Sequence, residues 1–156
     1  MNRSEDPAVQ YLLDRVAIAE VKARYYRFLD TKDWTGLRSL YADDARFLAR
    51  GVVHEGGDAV VAFIVSRLGP EVTSVHHGHQ PEIDIDGDHA TAIWPMEDEI
   101  TRTDGTGFAG AGYYTDKYVR SSQGWLIAES SLTRFTFRSV GEGYSVDEAL
   151  PPEVAR

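Results

Sequence analysis

Apolar residues between Pro7 and Leu29 recur at helical spacing along two lines. Leu12, Val16, Ala19 and Ala23 form one, and Ile18, Val21, Tyr25 and Leu29 form the other, roughly on the opposite side. Asp6-Pro7 supplies an N-cap and a proline at the first helical position, where its missing amide hydrogen costs nothing. A helix apolar on two sides is expected to be buried between a sheet and other helices. Asp33 is placed to cap a short second helix with Trp34, Leu37, Leu40 and Tyr41 on its buried side. Residues 45–48 and 52–54 read as short extended segments, and Gly56-Gly57 breaks the chain before a third helix over 58–68.

Alternation then replaces helical spacing. Long strands are expected over 73–86, 89–102, 109–121 and 124–138, with turn chemistry at Asp86-Gly87, Asp104-Gly105 and 121–124. Helices followed by consecutive long strands predict an α+β fold, a curved and mostly antiparallel sheet wrapped around the N-terminal helices. The chain reads as one domain over 1–156, with an arm at 1–13 and a tail at 141–156. Pro81 and Pro95 cannot donate to a ladder, so bulges or bends are expected near them.

The same alternation exposes two misplaced charges. Ala90, Ala92, Trp94 and Met96 share one strand face, and Asp98 falls on it. Leu126, Ala128, Ser130 and Leu132 share another, and Arg134 follows. An unpaired charge dehydrated there costs several kcal/mol, so each must reach solvent at a strand end, find a structural partner, or serve a site. The run His76-His77-Gly78-His79 holds three of the five histidines. In a strand it sends at least one imidazole, the side chain that titrates nearest neutrality, toward whatever the sheet encloses. Convergent polar groups on apolar faces are how small-molecule sites are built.

Composition narrows the classes. A net charge of −9 with no basic run disfavours nucleic acid. Without cysteine there is no disulfide framework, thiol nucleophile or thiolate metal site. The polar first ten residues lack the apolar core of a signal peptide, and no apolar run is long enough to span a membrane, so a soluble cytoplasmic protein is expected. His77, His79 and Glu82 match a metal set only loosely, and no metal is expected. The glycines at 105, 107, 110 and 112 precede no strand-to-helix junction, and Ser130-Ser131 lacks a nucleophile elbow.

Five stretches carry a resemblance: IAEVKARYYRFLDTKDWTGLRSLYADD from Ile18, VHHGHQPEI from Val75, WPMED from Trp94, YTDKY from Tyr114 with Trp125, and onward to Arg134. Together they resemble the SnoaL-like branch of the nuclear transport factor 2-like superfamily, with the bacterial bile acid 7α-dehydratases the closest pattern. The resemblance implies a cone-shaped fold enclosing a pocket and catalytic positions at Tyr25, Asp30, His76, Asp98 and Arg134. It adds Phe47, His79, Trp94 and Tyr114 as candidate substrate contacts. It implies a cofactor-independent dehydratase, a carbon–oxygen lyase acting beside a carbonyl or enone of a hydrophobic small molecule such as a steroid or polyketide, with His76 as base. A homo-oligomer, trimer or dimer, goes with it. Phe47 lies close to where the family has a pocket tyrosine, aligned near Ala49, and Pro95 also departs from the pattern, so the substrate rim differs. Isomerase, polyketide cyclase and non-catalytic ligand binding are the alternatives on the same fold.

Overall fold

The Asp6 carboxylate accepts the amide hydrogens of Ala8 and Val9 and starts α1 (Pro7–Thr31). Asp33 accepts from the Gly36 amide and starts α2 (Trp34–Ser39). In the computed structural model residues 4–49 and 51–141 are described, so the tail expected beyond Gly141 lies outside them. Residues 7–13, read from sequence as part of an arm, are helical. The chain continues through β1 (Tyr41–Ala49), β2 (Val52–Glu55), α3 (Gly57–Arg67), β3 (Val72–Gly78), β4 (Glu82–Asp86), β5 (His89–Arg102), β6 (Gly107–Ser121) and β7 (Gly124–Val140). The sheet order is β2-β1-β7-β6-β5-β3, with β4 also on β5. Among the described residues only β1 and β7 run parallel, so the sheet is mostly antiparallel and the fold α+β.

Three details depart from the pattern. The strand expected over 73–86 is two strands, both paired to β5. Its break faces Pro95, which has no amide hydrogen to give that neighbour but accepts through its carbonyl from the His79 amide at 2.9 Å. β5 and β6 pass Pro95 with no register shift. The apolar line that starts at Leu12 is largely exposed, with Leu12 at 62 % and Val16 at 58 %, while Ile18, Val21, Tyr25 and Leu29 enter the core. In β7 the register against β6 shifts between Lys117 and Tyr118, skipping Ala128. Trp125 and Ile127 are therefore the fully buried pair rather than Leu126 and Ala128, and the inward row resumes at Ser130.

A partly buried ion pair ties the N-terminal half of α1 to β6. Both oxygens of Asp14 accept from Arg120, at 2.6 and 2.7 Å, and Trp125 donates to the same carboxylate. The Arg120 hydrogen bonds outweigh burial and hold Asp14 down at about 2, against an ordinary 3.8. A depressed carboxyl stabilises the fold above its unfolded value and loses that contribution as pH falls through its folded one. Urea unfolding should therefore lose about 2 kcal/mol between roughly pH 4 and pH 2 through this group. Asp14→Asn should lack that component; an identical acid loss in the variant would refute the assignment.

Candidate active site

The last turn of α1 and the inner face of β3 bring Asp30 and His76 together. Asp30 Oδ1 lies 2.7 Å from His76 Nδ1, and Oδ2 accepts the His76 backbone amide at 2.9 Å. Ser74, two residues earlier on the same face, donates to Asp30 Oδ1 at 3.0 Å, and Lys32 Nζ donates to Ser74 Oγ at 2.9 Å. Burial pushes the Asp30 carboxyl up, but the His76 and Ser74 hydrogen bonds and the His76 charge outweigh it, leaving Asp30 below its ordinary value. An ionised carboxylate only accepts, so the hydrogen it shares with Nδ1 belongs to the ring. Nε2 is left as the basic nitrogen, directed at the interior 4.0 Å from Asp98 Oδ2. Of the two aspartates among the expected catalytic positions, Asp30 is the one that orients the imidazole.

Asp98 is held from the other side. Arg134 of β7 forks onto it, with Nη1 to Oδ1 at 2.5 Å and Nη2 to Oδ2. The two charges that break the strand patterns are thus each other's partners, and Arg134 orients the aspartate. Gly110 makes room for the fork: a Cβ there would stand 2.6 Å from Arg134 Nη1. Gly110→Ala should displace the guanidinium and cost about 1–3 kcal/mol. Thermal melts together with an Arg134 side-chain NMR signal check this; an unmoved guanidinium resonance counts against it.

The third group is aromatic. Tyr25 donates to the Tyr114 hydroxyl at 3.4 Å, with their rings edge-on at 5.6 Å. Burial raises both phenols well above their ordinary value, Tyr25 further through the neighbouring Tyr114 and Tyr41. Both remain protonated donors at neutral pH. Tyr114 also senses the charges of Arg134, which lowers its pKa, and Asp98, which raises it. Tyr26 packs against Gly78, and its buried hydroxyl has no hydrogen-bond partner among the described residues.

Sequence reasoning missed the groups beneath these rings. Lys22, wholly buried, reaches Asp116 at 2.7 Å. Asp116 also accepts from Tyr118 at 2.9 Å and Ser130 at 2.6 Å. The Lys22 ammonium lies 3.7 Å from the Tyr114 ring centroid and 4.4 Å from that of Tyr25.

Among the substrate contacts expected, Tyr114 belongs to the cluster. Trp94 is on the inner face of β5 but gives its indole hydrogen to Tyr118, and Phe47 packs near Phe63. His79 is not brought in: its side chain is 55 % exposed, with Glu97 3.8 Å away. Gly78 ends β3, which leaves His79 in the break opposite Pro95. A groove of about 540 Å³ runs past Val75, His77, Glu97, Glu99 and Arg138, and Asp98 and Gly110 of the fork also line it. Val75 and His77 alternate with the inward His76 along β3, so the groove lies mainly on the other face of the sheet and meets the cluster only at the Asp98 fork. Solvent meets the cluster at Asp30 and Arg134, whose side chains are 26 % and 19 % exposed.

A profile of the SnoaL-like domain matches residues 10–131. Among solved structures, a hexachlorocyclohexane dehydrochlorinase (LinA, type 2) is 19% identical with a TM-score of 0.78, covering 93% of this chain and 98% of its own. A putative scytalone dehydratase from Novosphingobium aromaticivorans is 20% identical with a TM-score of 0.75, covering 81% and 87%. A protein of unknown function from Mycobacterium tuberculosis is 22% identical with a TM-score of 0.74, covering 85% and 78%. At these identities the likeness is one of fold.

Proposed function

The chain belongs to the SnoaL-like domain family, and from that premise we propose that it is a cofactor-independent dehydratase acting on a hydrophobic β-hydroxy ketone or its vinylogue, of steroid or polyketide type. The observation that carries the reading is the buried His76–Asp30 pair, whose Nε2 lies 4.0 Å from the buried Asp98 carboxylate in a core that also holds the neutral phenols of Tyr25 and Tyr114. The fold neighbours include proteins named for elimination, a dehydrochlorinase and a putative dehydratase, which supports a lyase.

In this reading His76 Nε2 takes the proton from the carbon beside the carbonyl. The C–H electrons move to the carbonyl oxygen, giving an enolate. Tyr25 and Tyr114 share one hydrogen between their oxygens and have a second O–H free for that oxygen, where the charge develops. The enolate then collapses and expels the β-hydroxyl, which leaves as water with the proton from the imidazolium. The product is the conjugated enone, and the histidine is neutral again. Asp30 keeps the ring in register and stabilises the imidazolium. Asp98 faces Nε2 across 4.0 Å and adds negative potential, tempered by Arg134. The unpartnered Tyr26 hydroxyl is a further donor for a bound ligand.

Dehydration lengthens conjugation, so an absorbance assay on β-hydroxy ketones and 7-hydroxy-3-oxo-4-ene steroids tests the proposal. Turnover by wild type and none by His76→Ala is the expected result. Equal turnover by both would remove His76 as base, and silence across the panel would favour an isomerase, cyclase or binding role.

A further inference from the structure

Among the described residues Lys32 is the one non-glycine with a left-handed backbone, φ 59° and ψ 30°. It caps α1, a position that glycine takes without strain and asparagine with little. Backbone strain of this kind concentrates at functional sites. What lysine adds over glycine is its ammonium, half-buried and hydrogen-bonded to Ser74 Oγ at 2.9 Å. Ser74 passes its own hydrogen to Asp30 at 3.0 Å, and Asp30 holds His76 at 2.7 Å.

We propose that Lys32 and Ser74 are positioning residues for His76, an outer cation and a hydroxyl that restrain how strongly Asp30 draws a proton onto the imidazole. A cation behind Asp30 stabilises the carboxylate and weakens it as an acceptor. The imidazolium is then less favoured relative to the neutral ring that can act as a base. Burial lowers Lys32 from its ordinary range and the Asp30 charge opposes that shift, so the two groups sense each other. Among the described residues the other cations near the site are each paired with a different carboxylate, Lys22 with Asp116 and Arg134 with Asp98. Asp98 from β5 is forked by Arg134 from β7, and Tyr25, Tyr26 and Tyr114 are neutral phenols. Lys32 Nζ also lies 5.8 Å from the Trp34 ring centroid.

The proposal rests on His76 being the base for its catalytic meaning, but its first test needs no substrate. NMR titration of the His76 ring should show its midpoint moving up by about half a pH unit in Lys32→Gly at low salt. The difference should shrink in 1 M salt (Debye length about 3 Å). Ser74→Ala, which leaves the Lys32 backbone alone, should move the midpoint in the same direction. Lys32→Gly should melt no lower than wild type, and up to about 4 °C higher, because the strain is relieved. A His76 midpoint that stays with wild type in Lys32→Gly overturns the proposal whatever the melts show. A shift in Lys32→Gly but not in Ser74→Ala overturns the relay through the hydroxyl. If the NMR midpoints move and the acidic limb of kcat/KM does not, the coupling stands and His76 as base fails.

Discussion

Asp30→Asn lowers kcat by about 10²–10⁴-fold on whichever β-hydroxy ketone the wild type turns over, and His76→Ala lowers it at least as far. The aspartate makes two separate bonds to one residue, the ring nitrogen at 2.7 Å and the backbone amide at 2.9 Å. The second fixes the carboxylate relative to β3, so the first fixes the ring relative to the strand. Asparagine keeps the shape but brings an NH₂ group. If its amide nitrogen faces the ring, Nδ1 becomes the acceptor, the proton moves to Nε2, and no base is left facing the interior. If its oxygen faces the ring, the tautomer survives, but the imidazolium formed after proton abstraction loses its counter-charge. Either way the base is weakened while the fold is kept, since Asp30 lies at the solvent-reached end of the site. The double variant should be little worse than His76→Ala alone, because residues acting as a unit are not additive. A kcat for Asp30→Asn within about threefold of wild type would mean that Asp30 serves the fold and not the reaction.

The strand alternation that singled out Asp98 and Arg134 rested on a sound physical premise, that a charge in an apolar row needs a reason. The reason is their mutual fork. Applied to α1, the same test finds Lys22 and Asp14, which lie on the line of Ile18, Val21, Tyr25 and Leu29. Applied to β6 it finds Asp116, between the buried Tyr114 and Tyr118. Those residues were legible and unread. Other features were not legible, because pairing across the fold sets them. The skip at Ala128 is a mismatch between β6 and β7, so the inward face of β7 changes parity with no local signal. The parallel pairing of β1 with β7 joins segments some eighty residues apart. Which aspartate serves His76 depends on where α1 ends against β3, and periodicity fixes element ends poorly. Ser74 and Lys32 carry no sequence mark at all; a serine in a strand and a lysine after a helix are ordinary until their side chains are seen to meet.

Lys22→Met should be the most destabilising single change in the molecule, costing about 3–5 kcal/mol, which is a fall of roughly 10 °C in Tm for a chain of this size. The side chains of Lys22 and Asp116 are 1 % and 0 % exposed, so neither can turn to water when its partner is removed. Burial lowers Lys22 from its ordinary range, and Asp116 is what holds it up. Methionine leaves a carboxylate facing Tyr118 and Ser130 alone, and it removes the cation from between the Tyr25 and Tyr114 rings. Asp116→Asn should also destabilise, by stranding the ammonium among the phenols. Lys22→Met/Asp116→Asn removes both charges and keeps an acceptor for Tyr118 and Ser130, so its loss should fall well short of the sum of the two. That coupling, read as a double-mutant cycle in urea, measures the pair itself. Additive losses below about 1 kcal/mol each would mean that the charges are not desolvated as their burial implies. The cycle also separates fold from chemistry. If the double variant recovers its stability but not its turnover, the Lys22 charge acts on Tyr25 and Tyr114 as well as on the core.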